Sequence, residues 1–112
     1  MERRRTEAEY GSILVPVLGT ELDETRARSV APSATFHASL DALLASPEVE
    51  AVLISTPPQL HEELAVAAAE AGKHALVEKP MANSASACRR MIEVSRRTGK
   101  VLTVGFNHRY FD

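Results

Sequence analysis

In the second half of the chain, unbroken apolar runs alternate with stretches in which apolar side chains return every three or four positions. The runs are 51–55 (AVLIS), 74–77 (HALV) and 101–106 (VLTVGF). Short continuous apolar runs are typical of strands buried in a parallel sheet. Between the first two, residues 59–71 place Leu60, Leu64, Ala67, Ala68 and Ala71 on one helical face. Gly72 stops that helix, with Lys73 beside its carbonyl end. Ser84 caps a second helix that carries Cys88, Met91, Ile92 and Ser95 inward. Arg96, Arg97 and Lys100 suit its C-terminal dipole, and Gly99 ends it. The pattern predicts an α/β fold whose strands 51–55, 75–77 and 101–106 are adjacent and parallel.

The first half is patterned less sharply. Residues 13–18 (ILVPVL) read as a buried strand, although Pro16 lacks a ladder donor and belongs on an edge or at a bulge. Residues 23–31 suit a short helix with Asp23 as cap and Pro32 after it, and 35–37 a short strand. Ser39 caps a helix through Ala45, with Asp41 in its first turn and Pro47 ending it. Residues 1–10 are polar and helix-compatible.

Length and composition narrow the partners. A chain of 112 residues supports one small domain, and 45% hydrophobic with 25% charged residues is globular. A net charge of −2 and 4% aromatics give no footprint or stacking platform for nucleic acid. No apolar run approaches the ~18 residues of a membrane span. One cysteine, Cys88, excludes an internal disulfide and fits a reducing, cytoplasmic compartment; on its helix face it reads as a core thiol. His37, His74 and His108 have no metal-ligand spacing, so no metal site is expected.

Ligands of parallel sheets sit at the carboxyl ends of the strands. Those ends carry Thr56-Pro57-Pro58, Glu78-Lys79-Pro80 and Asn107-His108-Arg109-Tyr110. Taken singly, each residue has a plainer reading. Lys79 could be a solvated turn lysine, His61 a surface residue, Glu21 a loop acid, and Asn107 and Arg109 the close of a strand.

Taken together, Ser55-Thr56-Pro57-Pro58-Gln59-Leu60-His61, Glu78-Lys79-Pro80 and Val104-Gly105-Phe106-Asn107-His108-Arg109-Tyr110 resemble one family in order and spacing. It is the glucose–fructose oxidoreductase/inositol dehydrogenase (Gfo/Idh/MocA) group of NAD(P)-dependent oxidoreductases. The resemblance implies a Rossmann domain followed by a substrate domain, with hydride transfer on a sugar or polyol CH–OH. It makes Lys79 the catalytic residue, an ammonium that binds the substrate hydroxyl and stabilises charge as hydride leaves. Glu78 would orient Lys79, and Pro80 would shape the turn through a cis bond. Thr56, Pro57 and His61 would line the cofactor cleft, and Asn107 and Arg109 would reach its nicotinamide end. Glu21 would accept hydrogen bonds from the adenosine ribose. With no cation at Leu22, that favours NAD over NADP.

The chain departs from the family in two places. No Gly-x-Gly-x-x-Gly turn is present, since only Gly11 and Gly19 precede Gly72. No substrate domain follows the last motif. The expectation is therefore a partial Rossmann fold, with 1–112 as a single incomplete dinucleotide-binding domain that is inactive by itself. In the strand order 3-2-1-4-5-6 the missing first strand separates 13–18 from 51–55. Those strands must then pair directly, recruit a partner chain or stay loose. Pro16 favours an exposed edge, hence self-association. Two other readings remain open: a non-catalytic interaction or assembly module, and an inactive truncated fragment.

Overall fold

The computed structural model describes residues 12–14, 25, 28, 29 and 32–111. Four strands form one sheet: β1 (Ser12–Leu14), β2 (Val49–Ile54), β3 (His74–Glu78) and β4 (Leu102–Gly105). Their order is β1-β2-β3-β4, and every neighbouring pair is parallel. Helix α1 (Leu40–Ala45) precedes β2, α2 (His61–Glu70) joins β2 to β3, and α3 (Ala85–Thr98) joins β3 to β4. The expected parallel arrangement of the three later strands is therefore present.

Local chemistry explains where the helices begin and end. Ser39 and Ser84 accept hydrogen bonds from the backbone N–H groups of Ala42 and Ala87, each at 3.1 Å. Gly72 and Gly99 take φ of 78° and 69°, the left-handed turn that closes a helix. At each end the next residue donates back into the helix, Lys73 N–H to Ala68 O at 2.8 Å and Lys100 N–H to Ser95 O at 3.1 Å. Lys73 is itself buried, and its ammonium donates to the carbonyl of Ser46, at the end of α1, at 2.7 Å. A cation there meets both an orphan carbonyl and the negative end of the helix.

The core lies between one sheet face and the two long helices. It comprises Leu43, Val49, Val52, Ile54, Ala65, Ala68, Ala75, Val77 and Met91. In β3, Ala75 and Val77 are buried while Leu76 between them is 39% exposed. The sheet thus buries one face more deeply than the other. Both helices are rotated from the expected faces. On α2 the buried stripe is His61, Ala65, Ala68 and Ala69, whereas Leu60 and Ala71 are exposed. Alanine on nearly every face gives that helix little polar contrast, so its sequence marks no unique inward side. On α3 Val94 is buried with Met91, and Ile92, one residue off the stripe, is exposed. Glu62 and Arg90 pair across the two helices at 3.4 Å, and Glu70 forms a second such pair with Arg97. The hydrogen bond from Arg97 holds the Glu70 carboxyl below its usual range, and Glu70 in turn raises the Arg97 guanidinium.

Two early elements differ from expectation. Residues 35–37 form no strand. Residues 12–14 pair directly with β2, with Ser12 opposite Val49, Ile13 opposite Ala51 and Leu14 opposite Val52, and a register shift after Ser12. The edge of β2 is therefore not left open along this stretch. Its backbone donors and acceptors demand partners, and β1 supplies them. Pro16 lies outside the described residues, as do residues 1–10 and most of 23–31.

The core assignment predicts a contrast within one helix. Met91→Ala should cost about 2–5 kcal/mol in urea unfolding. Ile92→Ala, on the exposed side, should cost under about 1 kcal/mol. Equal losses would place the α3 core stripe elsewhere.

Candidate functional site

Parallel pairing brings the carboxyl ends of β2, β3 and β4 to one edge. Ile54 is level with Val77, Val77 with Val104, and Glu78 with Gly105. Thr56 lies two residues past Ile54 and Lys79 two past Val77, so their turns leave the sheet side by side. Neighbouring strands stand roughly 5 Å apart. The third turn opens at Phe106 and continues as a 3-10 helix over Asn107–Tyr110.

Within this edge Lys79 is exposed, and among the described residues no hydrogen bond or ion pair engages its ammonium. Its bond to Pro80 is cis, as the resemblance implied. Asn107 and Arg109 are also exposed, and Arg109 lies over the Phe106 ring with its guanidinium carbon 5.1 Å from the centroid. Thr56 is half-buried, its hydroxyl 3.4 Å from the Pro57 carbonyl. Pro57 and Pro80 are exposed. Glu21 lies outside the described residues.

His61 holds a different position from a cleft-lining side chain. The short 3-10 turn over Pro58–Leu60 delivers it to the head of α2, where it is fully buried. Its Nδ1 lies 2.8 Å from the carbonyl oxygen of Pro80, and its Nε2 lies 2.9 Å from that of Thr56. One imidazole thus spans the first two turns of the edge.

Two further contacts were not expected from the sequence. A Cβ on Gly105 would stand 2.9 Å from Glu78 Oε2, so the half-buried Glu78 carboxylate rests across the bare backbone of β4. The signal was a glycine inside an apolar run, which often marks close approach of another group. His74 Nδ1 accepts from the backbone N–H of Val101 at 2.9 Å, at the opposite edge of the sheet. Among the described residues no cluster of three or more His, Cys, Asp or Glu could hold a metal ion, and no helix is long and apolar enough to cross a membrane.

A parallel sheet flanked by helices, with polar turns gathered at its strand carboxyl ends, defines a nucleotide-binding α/β protein. Residues 7–106 match the Gfo/Idh/MocA oxidoreductase family with its NAD-binding Rossmann fold, and the chain belongs to that family. It is 46% identical over 79 residues to a 1-carboxy-3-chloro-3,4-dihydroxycyclohexa-1,5-diene dehydrogenase of Comamonas testosteroni, covering 70% of this chain and 20% of that one. It is 43% identical over 82 residues to an inositol 2-dehydrogenase of Agrobacterium fabrum, covering 72% and 24%. The WlbA dehydrogenase of Bordetella pertussis, solved with NADH and UDP-GlcNAcA, superposes with a TM-score of 0.77 at 28% identity, covering 88% and 28%. The chain spans about a fifth to a third of the length of the curated relatives it matches.

The seat of Glu78 on Gly105 predicts a separable effect. In Gly105→Ala the carboxylate, the free end of a flexible side chain, should swing away while the strand holds. Stability should change by less than about 1 kcal/mol, and the carboxyl carbon resonance of Glu78 should move. An unmoved Glu78 signal in folded protein would contradict this packing.

Proposed function

We propose that this chain is the nucleotide-binding part of an NAD(P)-dependent oxidoreductase acting on a CH–OH carbon of a sugar or polyol. The observation that carries the reading is the single edge where Thr56, Lys79 and Asn107 leave three adjacent parallel strands. The kinship with inositol 2-dehydrogenases supports the substrate class.

The residues present fit the nicotinamide half of a dinucleotide. Lys79 offers an ammonium that no described residue engages, and Thr56 and Asn107 offer polar groups on the neighbouring turns. A bound nicotinamide would supply the acceptor for a hydride from the substrate carbon. Lys79 would bind the hydroxyl oxygen of that carbon and stabilise its developing negative charge as the hydroxyl proton passes to solvent. Glu78, seated on Gly105, fixes the electrostatic surroundings of Lys79. Pro57 and Pro80 keep the turns tight, and Asn107 and Arg109 border the nicotinamide end. Glu21 supports NAD over NADP, because a carboxylate repels a ribose 2′-phosphate.

The 112-residue chain contains no Gly-x-Gly-x-x-Gly turn. Such turns cradle the pyrophosphate at a helix N-terminus, so its affinity for NAD should be weaker than micromolar. A titration with NADH followed by amide chemical shifts reads binding that weak. Saturable shifts confined to the turns at Thr56–Pro57, Glu78–Lys79 and Asn107–Arg109 are expected, and Lys79→Ala should reduce them. Shifts scattered over α2 and α3, or none, would refute the assignment.

A further inference from the structure

We propose that His61 is a positioning residue for Lys79, clipping the turn after β3 to the turn after β2. The inference rests on the reading of this edge as the nicotinamide site.

Burial of the ring is complete, and both nitrogens face backbone carbonyls, Pro80 at 2.8 Å and Thr56 at 2.9 Å. No polar ring atom is left for a dinucleotide, so His61 acts through its neighbours. Pro80 is bonded directly to Lys79, and holding its carbonyl sets the path of the backbone from which the Lys79 side chain leaves. The Thr56 carbonyl is the other anchor, on the adjacent strand end. Among the described residues no other hydrogen bond beyond the sheet ladder joins the two turns. Carbonyl oxygens only accept, so both arms are hydrogen bonds at once only when both ring nitrogens carry a proton, and a ring with one N–H donates to one carbonyl alone. The arms can therefore be removed separately. An asparagine amide nitrogen falls near the Nδ1 position and can donate to Pro80. A glutamine amide nitrogen falls near Nε2 and can donate to Thr56.

The test compares His61→Asn, His61→Gln and His61→Ala in the 112-residue chain. Folding is checked by circular dichroism, and the Pro80 and Thr56 carbonyl carbons and the Lys79 side chain are followed by NMR. In His61→Asn the Pro80 carbonyl and Lys79 should stay near their wild-type positions while Thr56 moves. In His61→Gln the Thr56 carbonyl should stay while Pro80 and Lys79 move, and in His61→Ala all three should move. NADH affinity read at Lys79 should stay within about threefold of wild type in His61→Asn and fall roughly tenfold in the other two, one hydrogen bond's worth. Unmoved Lys79 signals in folded His61→Ala would overturn the proposal, as would equal losses in the asparagine and glutamine variants. Failure of all three variants to fold would make His61 a folding residue and overturn it too. If wild-type protein gives no localised response to NADH, the oxidoreductase reading falls, and the free-protein carbonyl and Lys79 shifts still decide the clip.

Discussion

Parallel pairing is the constraint on which the site depends. Each strand must return to the same end of the sheet before it can pair, so every turn that follows a strand opens on one edge. The residues after β2, β3 and β4 are distant in sequence, and register alone makes them neighbours: Ile54, Val77 and Val104 stand level across the sheet. The helices that make these returns cover one face and supply its core. Burial of one sheet face fixes the register, because a one-residue slip would turn each strand's core side chains outward.

Within that edge, polar groups are handled in two ways. Lys79, Asn107 and Arg109 face solvent, available to a ligand. His61 is enclosed and spends both nitrogens on the chain itself. Burying an imidazole is favourable only when its polar atoms find partners, and here the partners are the carbonyls of two turns that a ligand would touch. Glu78 is accommodated differently. A missing side chain at Gly105 gives its carboxylate room to lie flat on the neighbouring strand.

Much of this was legible in sequence. The apolar runs ending at Ile54, Val77 and Phe106, with two glycine-terminated helices between them, the second capped by Ser84, state a parallel sheet almost directly. The three turn motifs state the family. The rest depended on tertiary contacts that no local pattern encodes. An alanine-rich α2 looks much alike from every side, so its inward face was set by the sheet, and His61 went inside. Ile92 and Val94 compete for one stripe on α3, and helix rotation rather than hydrophobicity chose Val94. Direct pairing of β1 with β2 was one of three outcomes the sequence left open, and the need to satisfy the open side of β2 selects it over the exposed edge that Pro16 favoured. The seat of Glu78 required the cross-strand register with Gly105, which becomes known only once the strands are aligned.

The central claim is that the nicotinamide ring lies against Lys79 at the carboxyl edge of the sheet. The most direct measurement is of intermolecular nuclear Overhauser effects between NADH and this chain at millimolar ligand. The account predicts cross-peaks from the nicotinamide ring protons to the Lys79 side chain and to the turns at Thr56 and Asn107. Cross-peaks to the outer faces of α2 and α3 alone, around Glu62 and Arg90, would contradict it.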